Sequence, residues 1–275
     1  MNIASTPVTS GTRSVRASAR RMWSLARAEL RLLIRNRMAL FMTMAMPVVS
    51  AFLFAGLDEA DQPGVSMGAT VIVVMANFTI LLVVYYNLVA TYAARREDLV
   101  LKRLRSGELT DAEIIAGTAV ASVVTALAQI VAIGVAAPLL FDVAPPVNVV
   151  LMVVAVVLGT IAWIPLAAAS SIFTRNAEMA QLTTLPALLI CLFFSGIFVP
   201  LHMLPDAMAR IGEFMPLTPV VELMRMGLVG VTNDGSTVDF AASFGAAITP
   251  VAILLAWTYL GVTIVRRYFR WEPRR

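Results

Sequence analysis

One cysteine and one histidine in 275 residues, together with a single lysine at Lys102, remove most of the common site chemistries. Cys191 has no second thiol for a disulfide within the chain, and no cysteine-rich metal site can be built around it. His202 has no partner for an HExxH zinc helix, and no Gly-x-Ser-Gly surrounds Ser195 to make a serine nucleophile beside it. Lys102 is followed by Arg103 rather than Ser or Thr, so the chain carries no P-loop to cradle nucleotide phosphates. Charge is also missing in long blocks. Residues 38–57, 69–92, 114–141, 148–173, 182–201 and 240–265 contain no charged side chain, and together they make up more than half of the sequence.

Those six runs decide the solvent. A bilayer core of about 30 Å needs ~20 helical residues, and a charge at mid-helix costs about 2.5–3.5 kcal/mol on insertion scales. Uncharged runs of this length predict transmembrane helices. A transmembrane barrel would alternate apolar and polar residues, whereas Val149 to Leu158 and Leu185 to Phe194 are continuously apolar. The fold class expected is an all-α membrane protein with six spans. Basic residues set its orientation. The arm to Arg37 carries eight, residues 93–113 carry five, residues 174–181 one and the tail from Arg266 five, against two in the other three connections combined. Both termini are therefore expected in the cytoplasm, with residues 58–68 and 202–239 outside. The net charge of +4 is accounted for by this flanking charge and asks for no nucleic acid.

Three segments outside the spans carry pattern. Residues 1–19 are rich in Ser, Thr and Arg, have no apolar run and read as a disordered cytoplasmic arm; the same composition suits an organellar transit peptide. In residues 20–37, Arg20, Ser24, Arg27, Arg31 and Arg35 form one polar helical stripe opposite Trp23, Leu30, Leu33 and Ile34, which predicts an interfacial amphipathic helix against lipid headgroups. In residues 93–113, Val100, Leu101 and Leu104 share one side of a short helix rimmed by Arg95, Arg96, Asp98, Lys102, Arg103 and Arg105, suited to a protein partner. Ser106 and Gly107 break that helix, and Thr110 with Glu113 forms a capping box that starts the third span. In residues 202–239, Pro205 and Pro219 fit helix first turns and Thr218 is placed to cap. The apolar Met203, Leu204, Met208, Ile211 and Phe214 predict a segment that dips back into the outer leaflet, with Glu222 and Arg225 close enough to pair.

Three motifs make the chain resemble the integral membrane subunits of the ABC-2 type transporter family over nearly its full length. They are LARAELRLLIRNR before the first span, RREDLVLKRLRSGELTDAEI after the second, and SGIFVP, LP and PLTP with a following Glu and Arg after the fifth. The resemblance implies that the arm is a connecting helix and that residues 93–113 are a coupling helix gripped by a separate ATP-binding subunit. By position it assigns Arg96, Glu97, Asp98, Leu101, Leu104 and Arg105 to coupling. It assigns Ser195, Gly196, Pro200, Pro205, Pro216, Glu222 and Arg225 to re-entrant helices that close the exit. Relatives usually carry Gly-Thr after the acidic pair and Thr-Pro before the third span, where this chain has Leu99, Val100, Ser106 and Gly107. The implied partners are two copies of the ATP-binding subunit, a second permease subunit, identical or related, and membrane lipid. The implied cofactors, ATP and Mg, belong to the ATP-binding partner and none to this chain. The implied setting is the inner (plasma) membrane of a bacterium.

Polar residues inside spans usually face protein or water, which makes Asn77, Tyr85, Asn87, Thr183 and Thr184 candidates for the transport path or for helix–helix bonds. Spans without charge favour an amphipathic or hydrophobic cargo, and the apolar exit motif looks most like the drug-resistance branch of the family. A lipid or lipid-linked polysaccharide is the alternative cargo. An intramembrane enzyme is the alternative class, reduced by the missing bases to a surface transferase working through Glu97 and Asp98.

Overall fold

A computed structural model describes residues 66–106, 109–141, 143–197, 201–269 and 271. The regular structure among these residues is helical, apart from an isolated bridge between Val231 and Thr237. The helices are α1 (Met67–Glu97), α2 (Val100–Arg105), α3 (Asp111–Leu140), α4 (Val149–Ser171), α5 (Ala180–Phe194), α6 (Asp206–Glu213), α7 (Thr218–Val229), α8 (Phe240–Ala246) and α9 (Ile248–Tyr268). Four stretches are long and apolar enough to cross a membrane: α1, α3, α4 and the α8–α9 pair at Phe240–Tyr268. They match the runs expected at 69–92, 114–141, 148–173 and 240–265. The expected arm, interfacial helix and first span at 38–57 lie outside the described residues.

The fifth expected span is shorter than its apolar run. Helix α5 stops at Phe194 after 15 residues, a length of roughly 22 Å at the ordinary helical rise, well under a bilayer core. Gly196 ends it by taking φ +77°, a left-handed conformation open to glycine. Hydropathy alone cannot see that stop, because the sequence stays apolar past it. The last span is also interrupted. Pro250 would drive its ring into the carbonyl of Ala246 four residues earlier, and α8 ends at Ala246.

Helix α1 forms the buried centre and α4 packs on most of the other elements, most extensively on α9 and α7. Gly261 allows the α4–α9 approach, since a Cβ there would lie 3.1 Å from Pro165. Within α1 the turn Ile80–Tyr86 is π-helical and lies against α4. Nothing in the run ILLVVYY marks this turn beforehand. It sets Tyr85 edge-on to Trp163, with centroids 5.0 Å apart, and brings its hydroxyl 3.1 Å from Ser170 Oγ. The outer faces carry the remaining apolar surface: Val124, Leu127, Val131, Val135 and Leu139 recur at helical spacing along α3 and are all exposed. Large apolar side chains on a continuous outward stripe suit hydrocarbon, not water.

Candidate functional site

The two ends of α4 organise two separate sites. At its Ser171 end, α1 runs out at Glu97, and the chain turns through Asp98 and Leu99 into α2. Leu99 turns it by adopting φ 60°, ψ 12°, the one left-handed non-glycine residue among those described. The break expected at Ser106 and Gly107 follows α2; an earlier one, not expected, lies here at Leu99. Leu101 then inserts fully into the interior and Leu104 is half-buried, while Glu97, Asp98, Lys102 and Arg103 stand in solvent and Leu99 is 40% exposed. Of the apolar docking face expected on Val100, Leu101 and Leu104, Leu101 is buried and out of a partner's reach, Val100 and Leu104 are partly exposed, and Leu99 is the most exposed apolar group of the turn.

Arg96 differs from the other basic residues of this segment. Its side chain is 1% exposed and its guanidinium donates to two carbonyls, one on the last residue of α4 and one just past it, Ser171 O at 3.0 Å and Thr174 O. Carbonyls at a helix C-terminus lack intrahelical partners and carry the negative end of the dipole, so a planar cationic fork fits them. Arg95 reaches Thr118 Oγ1 of α3 at 3.2 Å, and the Tyr92 hydroxyl donates to Ile115 O at 3.0 Å. Arg105 pairs with Asp111 at 3.1 Å and lies 4.9 Å over the Trp271 ring. The capping box forms as expected: Glu113 N donates to Thr110 Oγ1 and Thr110 N to the Glu113 carboxylate. Of the path candidates, Tyr85 bonds Ser170 and Thr183 bonds Thr174 at 2.8 Å, both at this end of α4. Thr184 is buried and bonds its own helix at Ala180, and Asn87 is half-buried, two residues from Tyr85. Asn77 sits apart, ten residues before Asn87, bonded to Val73 O at 2.8 Å.

At the Val149 end, α6 and α7 fold into a hairpin that α7 lays along α4. Val220 touches the position of Gly159, and Gly227 meets Asn148 and Met152 so closely that a Cβ would lie 2.8 Å from Asn148 O. Helix α7 therefore follows α4 from its Val149 end to about its middle. Asn148 joins three elements: its Oδ1 accepts from Val150 and Leu151 at the start of α4, its N–H donates to Gly227 O at 2.8 Å, and its Nδ2 donates to Ser243 of α8 at 2.9 Å. Neither Asn148 nor Gly227 belonged to a recognisable motif. Asn148 opened an apolar run and had only its cap preference to mark it.

The proline-rich motif resolves into specific contacts. Pro205 precedes α6 and its carbonyl accepts from Met208 at 2.8 Å; Pro216 is buried in the turn between α6 and α7; Pro200 is outside the described residues. Thr218 is not a cap. It already lies inside α7, and its hydroxyl is 2.6 Å from Gly212 O and 3.2 Å from Phe194 O, tying the hairpin to the end of α5. Ser195 is buried and bonds Leu192 O of its own helix. Glu222 and Arg225 do not pair with each other: Arg225 donates to Gly196 O at 3.0 Å, while Glu222 accepts from Asn233 Nδ2 at 2.9 Å. Both face apart along α7 toward different loops. Burial, only partly offset by the Asn233 bond, pushes the Glu222 carboxyl up to about 7. In the same loop, bonds from Thr232 and then Ser236 hold Asp234 below the usual carboxylate range.

A membrane bundle with a charged, solvent-facing turn at one end of α4 and a proline-framed hairpin at the other is the arrangement the motifs anticipated. The family model for the ABC-2 type transporter matches residues 20–229. The chain belongs to that family. Membership makes it the membrane component of an ABC transporter, a transport subunit that is not itself catalytic and that works with an ABC ATP-binding subunit. No curated protein matches the chain.

Proposed function

We propose that this permease is half of an exporter that moves an amphipathic or hydrophobic compound, of the drug or antibiotic kind, out of the cytoplasm by alternating access. Two copies of the ATP-binding subunit, each loaded with ATP and Mg, grip the turn at Glu97, Asp98, Leu99, Lys102 and Arg103 on each of two permease subunits. The observation that carries this reading is the build of that turn: its backbone is anchored inward by Arg96 and Leu101, while its charges and one strained leucine point into solvent. The hairpin α6–α7, lying along the Val149 half of α4, serves as the re-entrant outer closure. The membrane is the bacterial inner membrane, with both chain termini in the cytoplasm, in keeping with the basic residues flanking the spans. An amphipathic cargo is supported by spans that carry no charge.

The test is purification of the tagged chain from its native membrane in mild detergent, with mass spectrometry of what accompanies it. Co-purification of a P-loop ATPase, lost when Glu97, Asp98, Lys102 and Arg103 are changed together to Ala, is the expected result. Reconstituted with that ATPase, the complex should show ATP hydrolysis stimulated by amphipathic cations. Stimulation by lipid-linked glycans alone would move the cargo to the lipid-linked class, and a chain recovered without any ATPase would sink the reading of the turn.

A further inference from the structure

Three side chains tie the last turns of α1 to the bundle, and they do not go to the same place. Tyr92 and Arg95 bond α3, through Ile115 O and Thr118. Arg96 alone of the three reaches the end of α4, gripping Ser171 O and Thr174 O with two nitrogens of one rigid guanidinium. It is buried, so it offers no surface to a partner, and it directly precedes Glu97, where the solvent-facing turn begins.

We propose that Arg96 is a positioning residue that hands movement of the coupling turn to α4, and through α4 to the outer hairpin. The proposal rests on the reading that an ATP-binding subunit docks on that turn. Helix α4 runs as one element from the Arg96 site to the hairpin, Pro165 in its interior notwithstanding. It is 23 residues long, about 34 Å at the ordinary helical rise, and its far end is clasped to the hairpin by Asn148 N–H on Gly227 O and by the Gly159–Val220 contact. A guanidinium holding two carbonyls in a dry site cannot slide without leaving a buried charge unmatched, so the end of α4 follows the turn. The competing route runs up α1 itself, which also touches α7. That route passes through the π-helical turn Ile80–Tyr86, an irregular segment in the middle of the helix.

The experiment is hydrogen–deuterium exchange on the full chain in complex with its co-purified ATP-binding subunit, without nucleotide and with ATP, magnesium and vanadate. In the unaltered complex, exchange should change in residues 98–106, in 168–176 and in 206–230. Arg96→Lys keeps the charge but loses the fork, and Arg96→Gln removes the charge. Both should keep the change at 98–106 and lose it at 206–230. Tyr92→Phe, which cuts a tie to α3 instead, should retain all three. A response at 206–230 in the Arg96 variants equal to that of the unaltered complex would overturn the relay and assign the movement to α1. If neither Arg96 variant assembles, the unaltered complex still decides: a change at 206–230 with none at 168–176 would overturn the proposal. No response at 98–106 in the unaltered complex would instead remove the docking reading, and the relay with it.

Discussion

Leu99 holds a backbone conformation that costs an L-residue about 1–2 kcal/mol, and it spends that strain on keeping an apolar side chain in solvent amid charges. Replacing it with glycine removes the strain, and the added freedom of glycine in the unfolded chain returns about 0.5–1 kcal/mol of it. Leu99→Gly is thus expected to raise the thermal midpoint slightly in detergent while weakening capture of the ATP-binding subunit; an unchanged capture would show that Leu99 makes no contact with it. Glu222 gives a second residue-scale outcome. Its folded value near 7 lies above its ordinary 4.5, so the folded protein keeps a proton that the unfolded chain releases. The stabilisation is complete below pH 4.5, declines from there and is gone above about pH 7, on the order of 3 kcal/mol in all. Glu213 and Asp234 add to the effect and Arg225 opposes it. The melting midpoint should fall between pH 5.5 and 8.5 in the unaltered protein and stay level in Glu222→Gln, which is uncharged throughout.

At the scale of elements, glycines predict opposite signs for the same substitution. Gly227→Ala puts a Cβ 2.8 Å from Asn148 O and 2.9 Å from Met152 N, both backbone atoms, and should cost about 1–3 kcal/mol as α7 is forced off α4. Gly134→Ala on the exposed face of α3 meets nothing within 4 Å and should gain up to about 1 kcal/mol of helix propensity. Thermal unfolding of the two variants side by side checks both signs, and equal effects would mean that the α4–α7 contact is looser than described. The same comparison explains what the sequence could and could not reveal. Uncharged length marked α1, α3, α4 and the last span, because insertion energetics act on composition, and the Thr110–Glu113 box was readable because a cap is local. The stop at Gly196, the π turn in α1, the inward seat of Leu101 and the reach of Arg96 to α4 all depend on partners far away in sequence. Residue spacing says which side of a helix a group occupies and nothing about what lies against that side. For that reason Glu222 and Arg225, three apart, looked like a pair and are bonded to Asn233 and Gly196 instead.

For the whole molecule, α4 acts as a ruler. At about 34 Å it just exceeds a bilayer core. The loop after it, with Glu178 exposed, and the loop after α7, with Thr237 exposed, gather at its opposite ends: Thr174 lies with Arg96 at one, and Gly227 lies with Asn148 at the other. The two loops should therefore lie on opposite sides of the membrane, even though α5 between them is too short to cross as a straight helix. The single cysteine makes this measurable. Cys191 is buried, so Cys191→Ala yields a thiol-free background at the cost of a small cavity. In that background a cysteine placed by Thr237→Cys should react with a membrane-impermeant maleimide in intact cells. One placed by Glu178→Cys should react only after the cells are opened. Reaction of both from outside would mean that α5 and the hairpin together do not carry the chain across the membrane. The positive-inside argument for residues 174–181 would fall with it, since a single Arg175 is all that supports it.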